Sequence, residues 1–278
     1  MKSIKVERSR YILDPLYGII NLPDYVWQIL FIPEMQRLRE VRLYNINSLY
    51  FTGGANINRY EHSIGTCHLA SMCVESNFTN LQSKDKMLIV LAALLHDLYN
   101  AAFGHSVEYV EKFSPASLFS SASIGKEYAS FKYKSTEFEP IYFGMCQDLL
   151  TKLISILDLS PSDITQIGKY INGKGKFGTL ISGTIDLDNI DNVYRMSYHM
   201  GLTNDIHIPV QLAKSMWCQN GNLYITEAAF PLVNAWRQLR KRLYNFLLLN
   251  PDEFSAKFML TEAIELSMKG GNKVYTWY

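Results

Sequence analysis

The longest apolar run of the chain is MLIVLAALL at residues 87–95, and it ends directly at His96 and Asp97. A helix that starts near Ser83, the candidate cap, is apolar around its whole circumference through this run, which predicts burial on all sides. The run is about half as long as a membrane-spanning helix requires. The sequence therefore predicts a core helix over residues 83–105 that carries an imidazole and a carboxylate into the protein interior.

A buried ionised carboxylate is strongly unfavourable unless it is paired or binds a metal, so Asp97 needs a partner. Adjacent helical residues point about 100° apart, so His96 and Asp97 can share one ion only near a helix end or across its shoulder. His62, at a predicted loop-to-helix junction, is one further ligand candidate. Another is an acid of TIDLDNIDNVYR at 184–195.

The acidic segment has a helical spacing that places Asp188, Asp191 and Arg195 on one face. Asp191 is expected to pair with Arg195, and Asp186 to be structural. A set of two imidazoles and two carboxylates suits Mn, Fe, Co, Ni or Zn, with Mg as a further possibility, better than Ca. Such a set leaves positions open for water and a phosphate oxygen, which is typical of a hydrolase.

The composition favours a soluble, ordered protein. The chain is 48% hydrophobic over 278 residues, and 27 Lys and Arg balance 26 Asp and Glu, so no bulk charge favours nucleic acid or a membrane surface. Four cysteines without CxxC spacing indicate reduced thiols and a cytoplasmic location. Without a linker or repeat, one domain over residues 1–278 is predicted, with no membrane span.

Helical periodicity dominates, which predicts a mostly α fold with a small β-hairpin near Gly221. Residues 23–44 fit one helix or two short ones. Further helices are expected at 63–78 and 186–202, and the C-terminal helices are expected from about 227 to 269.

Five segments together resemble the HD superfamily of metal-dependent phosphohydrolases, and most closely its deoxynucleoside triphosphate triphosphohydrolase branch. The resemblance runs from about Ile12 to about Met268 and implies the HD helical fold. The segments are ILDPLYGII, PEMQRLREVRLY, GANINRYEHSIG, LLHDLYNAAFGHSVE and ISGTIDLDNIDNVYRMSYHMG.

The resemblance implies a role for each matching position. The implied metal ligands are His62, His96, Asp97 and Asp188. Arg59 is expected to hold a substrate phosphate, and His105 to assist proton transfer as the second catalytic residue. The implied substrate-binding residues are Arg59, Asn100, Asn192 and Arg195.

Several positions depart from the branch. Asn100 stands where an HDxxH motif has its second histidine, and the stretch KYKSTEFEP at 132–140 contains no counterpart of a further HE pair. Leu43 lies near the place of a glutamine, Asn192 replaces a tyrosine, and Met196 replaces an aspartate. These changes predict altered recognition of the sugar.

The sequence thus predicts a metal-dependent hydrolase of a phosphoester or phosphoanhydride, acting on a nucleotide or another phosphorylated small molecule. The resemblance further implies a homo-oligomer, because the family commonly forms oligomers. One alternative is a catalytically weakened nucleotide sensor or assembly subunit. Another is a nuclease for single strands, for which Lys169, Lys174 and Lys176 give slight support. His68 is expected to pack in the core, and His199 and His207 at the surface or in packing contacts.

Overall fold

The computed structural model describes residues 10–44, 50, 57–98, 100, 103 and 153–270. These residues form helices and two separate antiparallel hairpins, so the predicted mostly α class is confirmed. His105, residues 132–140 and the aromatic end at 273–278 lie outside the described residues.

The first hairpin pairs β1 (Tyr11–Asp14) with β2 (Gly18–Asn21). Its turn is held by Asp14, whose Oδ1 accepts hydrogen bonds from the backbone N–H groups of Leu16 and Tyr17, each at 2.9 Å. The sequence analysis missed this hairpin, because strands of four residues are too short to show a clear period of two.

The segment at 23–44 contains two short helices, α1 (Asp24–Leu30) and α2 (Pro33–Arg37). Pro33 occupies the first turn of α2, where a missing N–H costs nothing, whereas inside one long helix it would break the hydrogen-bond ladder. Of the two arrangements that the pattern allowed, the structure has two short helices.

Helices α3 (Arg59–Asn77) and α4 (Ser83–Leu95) form the centre of the fold. Asn58 caps α3 by accepting the backbone N–H of Glu61 at 2.9 Å. The cap places His62 in the first helical turn. The predicted cap of α4 was wrong by one residue, since Ser83 is already helical and follows Gln82 at the N-cap.

The predicted helix over 83–105 was too long, because α4 ends at Leu95 and a turn follows. Side chains take over the hydrogen bonds there. Arg37 Nη2 donates to the carbonyls of Leu98 and Asn100 at 2.9 and 3.0 Å. His96 and Asp97 therefore lie at a helix end, one of the two positions from which adjacent residues can share an ion.

The C-terminal half continues with helices and the second hairpin. The turn of this hairpin has positive φ at Asn220 (53°) and Gly221 (78°), which the Asn-Gly pair tolerates, so the predicted hairpin is confirmed. The elements are α5 (Pro161–Ile171), α6 (Leu187–His199), α7 (Ile208–Lys214), β3 (Met216–Gln219), β4 (Asn222–Ile225), α8 (Phe230–Leu249) and α9 (Pro251–Lys269).

Helix α3 packs against α4, α6 and α7, and α4 packs in turn against α5. Helix α8 covers α6, and α9 packs on α8. One hydrophobic cluster runs from Leu16 in the first hairpin to Leu247 in α8. Among the described residues, no helix combines the length and the apolar character that a membrane crossing demands. Cys67, Cys73 and Cys218 are buried free thiols, as expected.

Candidate metal centre

Asp186 fixes the start of α6 and so places the next acid, Asp188. Its carboxylate accepts the backbone N–H of Asn189 at 2.6 Å and that of Gly183 at 2.7 Å. Asp186 is thus an N-cap, as its predicted structural role requires. Asp188 lies in the first turn of the helix and faces the first turn of α3 and the end of α4.

Three elements bring four ligand atoms together. His62 Nε2 lies 2.9 Å from Asp188 Oδ1 and 3.7 Å from Asp97 Oδ2. His96 Nε2 lies 3.2 Å from His62 Nε2, 3.5 Å from Asp188 Oδ1 and 3.7 Å from Asp97 Oδ2. These are the four residues that the resemblance implied as metal ligands.

The other ring nitrogens determine which tautomers the two histidines adopt. His96 Nδ1 is 2.8 Å from the carbonyl oxygen of Ala93, which can only accept, so Nδ1 carries the proton. His62 Nδ1 is 3.1 Å from Asp191 Oδ1, and the same reasoning applies to an ionised carboxylate. In their neutral forms both Nε2 atoms would present lone pairs to each other at 3.2 Å, so this contact requires a positive charge, either a proton on Nε2, as the carboxylate of Asp188 at 2.9 Å from His62 Nε2 favours, or a cation.

Asp97 is held from two sides. Arg59 Nη1 donates to its Oδ2 at 2.5 Å, and the amide of Asn100 donates to its Oδ1. Burial favours the neutral acid, but the charges of Arg59, His96 and His62 together outweigh it and hold the pKa of Asp97 at about 2. Asn100, at the position of the missing histidine, thus orients a carboxylate and cannot titrate.

The cluster also selects positive charge electrostatically. Burial alone lowers the pKa of His62, but its hydrogen bonds to Asp188 and Asp191 raise the pKa to about 10. Burial opposes ionisation of Asp188, yet the charge of His96 and the bond from His62 hold the pKa of Asp188 well below its usual range. Protonated imidazoles or a divalent cation can supply the charge that this arrangement needs.

A divalent metal fits the spacing. Two ligand atoms that are each about 2.1 Å from one ion lie about 3.0–3.4 Å apart at the roughly 90–109° angles of octahedral or tetrahedral coordination. The separations that involve the Nε2 atom of His62 or His96 range from 2.9 to 3.7 Å. Asp188 is 31% exposed whereas the His62 and Asp97 side chains are buried, so the cluster is accessible from the side of Asp188.

Arg195 is not positioned like a substrate contact. Its side chain is completely buried and bonded to the carboxylates of Asp191, Asp14 and Glu61, so we leave it out of the substrate site. The predicted pair of Asp191 and Arg195 is confirmed, with Nε to Oδ1 at 2.8 Å. Asn192 is half-buried, and its Oδ1 has no hydrogen-bond partner among the described residues.

The remaining histidines lie where the sequence placed them. His68 is half-buried, with its ring centroid 5.1 Å from that of Tyr17. His199 is half-buried and contacts Glu61 at 2.8 Å, and His207 is exposed. Lys174 and Lys176 are exposed in their loop.

Residues 59–158 match the family model described as the HD domain. The match covers less than half of the chain and shows that this part is similar to HD domains. The match begins at Arg59 and includes His62, His96 and Asp97, the three residues that could hold a metal within 4.8 Å of one another. The resemblance to the HD superfamily is thereby confirmed, although the model ends before Asp188.

The similar proteins have low sequence identity to this chain. The protein YwfO of Bacillus subtilis (strain 168) is 23% identical over 264 residues, which are 94% of this chain and 56% of that protein. The deoxynucleoside triphosphate triphosphohydrolase SAMHD1 of Xenopus laevis is 35% identical over 97 residues, 33% of this chain and 15% of that protein. This chain thus spans about half, or less, of the length of these relatives.

The fold itself has a solved counterpart. The crystal structure of a phosphohydrolase from Bacteroides thetaiotaomicron superposes with a TM-score of 0.69 at 18% identity, covering 93% of this chain and 59% of that chain. The likeness shows that the two chains share a fold over most of this chain, including the part beyond residue 158.

Sequence reasoning missed the residues that surround the ligands. Asp14, Tyr17 and Glu61 all contact the pair of Asp191 and Arg195, through bonds that join residues far apart in the chain. The motif ILDPLYG contains Asp14 and Tyr17, but nothing in its spacing connects it to α6.

Proposed function

We propose that this chain is a metal-dependent phosphohydrolase that acts on a nucleotide or a similar phosphorylated small molecule. The observation that supports this best is the convergence of two Nε2 atoms and two carboxylates, with the two Nε2 atoms 3.2 Å apart. The names of two similar proteins, a phosphohydrolase and a deoxynucleoside triphosphate triphosphohydrolase, support the same reaction class.

The ion would be held by His62, His96, Asp97 and Asp188, and Mn, Fe, Co, Ni or Zn, or Mg, is compatible with this set. Such an ion supplies Lewis acidity, which polarises a phosphoryl oxygen and makes water more acidic. Its identity is left to experiment.

Arg59 is the proposed phosphate contact. Its Nη1 donates a hydrogen bond to Asp97, whereas its Nε is buried and has no hydrogen-bond partner among the described residues. A buried donor without a partner is costly, and a phosphate oxygen would satisfy it with a charge-assisted hydrogen bond. Arg59 would thereby align the phosphate with Asp97.

Asn100 and Asn192 are proposed to contact the rest of the substrate. Each has a side-chain oxygen that no described group contacts, and these oxygens can accept a hydrogen bond from a hydroxyl or an amino group. Such groups occur on the sugar and base of a nucleotide. Proton transfer by His105 stays a prediction, because this residue lies outside the described part of the chain.

The test is to measure the release of phosphate, pyrophosphate and triphosphate from ribo- and deoxynucleotides with Mn, Ni, Co or Mg. Asp97→Asn keeps the shape of the ligand but removes its charge, and we expect turnover to fall more than about a hundred-fold. Asp24→Asn removes an exposed acid, 84% accessible, and should leave turnover unchanged. Equal turnover in wild type and Asp97→Asn would refute the proposal.

A nucleotide sensor without turnover is the second candidate, and Asn100 favours it. In a hydrolase of the resembled branch a histidine stands there, whereas here the amide holds Asp97. The sensor predicts saturable nucleotide binding, measured calorimetrically, with no product under any metal. The nuclease alternative gains no support from the described residues.

The proposed homo-oligomer has one supporting feature, a set of exposed apolar side chains on the last two helices: Phe246, Leu249, Phe254, Phe258 and Met259. Light scattering should give a mass above the 31.9 kDa of one chain. A mass of one chain at micromolar concentration would contradict this part of the proposal.

A further inference from the structure

A buried ion network lies behind the metal centre. Arg195 is completely buried on α6, between three carboxylates that come from three parts of the chain. Its Nε is 2.8 Å from Asp191 Oδ1, and its Nη1 is 2.9 Å from Asp14 Oδ2 and 2.6 Å from Glu61 Oε1. The first hairpin, α3 and α6 are therefore joined through one guanidinium.

Asp191 connects this network to a metal ligand. Its Oδ1 contacts both Arg195 Nε and His62 Nδ1, the latter at 3.1 Å, and its Oδ2 accepts the hydroxyl of Tyr17 at 3.2 Å. Arg195 Nε donates to both carboxylate oxygens of Asp191, at 2.8 and 3.1 Å, so the guanidinium is paired with an ionised carboxylate. An ionised carboxylate only accepts hydrogen bonds, so His62 must donate from Nδ1.

We propose that Arg195 is a positioning residue of the metal centre, which holds Asp191 so that His62 keeps its proton on Nδ1 and presents the lone pair of Nε2 to the ion. The inference rests on the metal centre of the proposed function and replaces the substrate contact that the sequence suggested for Arg195. Asp14 and Glu61 fix the guanidinium in turn, so the N-terminal hairpin supports the ligand shell from behind.

The ion pair of Asp191 and Arg195 packs tightly against helix α3. Gly65 lies one turn after His62 on α3, and a Cβ at this position would fall inside contact distance of Arg195 Nη2 and of both carboxylate oxygens of Asp191. The pair thus lies directly against the backbone of α3. Removing a residue that hydrogen-bonds the other ring nitrogen of a metal-bound histidine typically weakens metal affinity 10–100-fold.

The first experiment measures Co²⁺ binding by its visible absorption. In Asp191→Asn the amide can donate to the ring and favour the wrong tautomer, so we expect the dissociation constant to rise about 10–100-fold. Arg195→Met should weaken binding as well, and Arg195→Lys should restore part of the loss because it keeps a positive charge beside Asp191. Folded Asp191→Asn and Arg195→Met variants that bind Co²⁺ like wild type would overturn the inference.

A matched control separates positioning from general stability. Asp163 forms the capping box of α5 and contacts Lys84 at 2.7 Å, at the end of α4 opposite to His96. Asp163→Asn should lower the thermal midpoint while leaving Co²⁺ affinity unchanged. A merely structural Arg195 predicts the same pattern for Arg195→Met and Arg195→Lys.

A second experiment needs no variant of the network. Wild type is labelled with ¹⁵N-histidine and loaded with Zn²⁺, and the protonated ring nitrogen of His62 is identified by NMR, with His62→Gln to assign the signal. A proton on Nδ1 supports the inference, and a proton on Nε2 overturns it, even if every variant of Arg195 fails to fold.

The inference and the proposed function fail in different ways. A wild type that binds Co²⁺ tightly but hydrolyses no phosphorylated compound contradicts the proposed function, while the affinity and tautomer measurements still decide the role of Arg195. A wild type that binds neither Co²⁺ nor Zn²⁺ overturns both.

Discussion

Replacing Gly65 with alanine gives a sharp test, because helix propensity and tertiary packing predict opposite signs. Gly65 lies inside α3, where alanine in place of glycine ordinarily stabilises a helix by about 1 kcal/mol. In the folded protein, however, the added Cβ would lie 2.6 Å from Asp191 Oδ1 and even closer to Arg195 Nη2. Real Cβ atoms essentially never approach heavy atoms this closely, so the ion pair or the helix must move.

The size of the effect follows from what has to move. Overpacking a buried site costs about 1–3 kcal/mol, and complete loss of one partner from a buried ion pair costs about 3–5 kcal/mol. The pair is completely buried, so solvent does not replace the lost bonds. After the gain in helix propensity, we expect Gly65→Ala to lower the free energy of unfolding by roughly 2–4 kcal/mol.

The assay is urea denaturation of the metal-free protein, together with Co²⁺ titration. Gly270→Ala is the control, because the nearest atom to its Cβ, the carbonyl oxygen of Ser267, lies at an ordinary 3.4 Å. Stability of Gly65→Ala at or above that of wild type would refute the packing argument. Reduced stability with unchanged Co²⁺ affinity would separate the ion pair from the metal centre.

Three further predictions concern ions and protons. A chelator should lower the thermal midpoint of metal-loaded wild type but not that of Asp97→Asn. A metal at a hundred times its dissociation constant stabilises the folded protein by about 2.7 kcal/mol, and the chelator removes this stabilisation. Equal midpoints of wild type with and without the chelator would contradict the metal centre. Metal binding at neutral pH should release protons. Burial lowers the pKa of His62, but Asp188 and Asp191 raise it further, to about 10 without metal, so the ring must lose a proton to bind an ion. Heats of binding that do not depend on the ionisation heat of the buffer would contradict this. Burial lowers the pKa of His68 to about 4, so between pH 6.5 and 4 the unfolded chain binds one proton more than the folded chain. The free energy of unfolding should therefore fall by about 2–3 kcal/mol as the pH drops through this range. His68→Phe should remove this part of the pH dependence, and an unchanged pH dependence would show that the ring is not buried as described.

Much of the fold could be predicted from the sequence, because helical periodicity and the turn preferences of Asn and Gly depend only on neighbouring residues. The apolar run before His96, Asn220 and Gly221 in the second hairpin, and the C-terminal helices all follow from short stretches of the chain. The errors were the first hairpin, which was missed, and the ends of helices. Helix α4 stops at Leu95, and Arg37, far away in sequence, binds the carbonyl groups of the following turn.

The candidate site was predicted by residue type and order rather than by geometry. His62, His96, Asp97 and Asp188 came from the HD resemblance, and the structure brings their ligand atoms together. The roles of Arg195 and Asn100 needed coordinates. Arg195 holds the carboxylate of Asp191, and the amide nitrogen of Asn100 holds that of Asp97, in addition to the substrate contact proposed for its oxygen.

The sequence by itself determined which side chains have to find partners, because a buried His96 and Asp97 cannot remain without compensation at the end of an apolar helix. Only the tertiary structure decided which partners they find. His96 and Asp188, which are 34 and 126 positions from His62 in the chain, both lie within hydrogen-bonding distance of its ring. Arg195 is enclosed by acids from the first hairpin, α3 and α6. Such contacts depend on how helices pack, and a pattern that repeats every three or four residues carries no record of that packing.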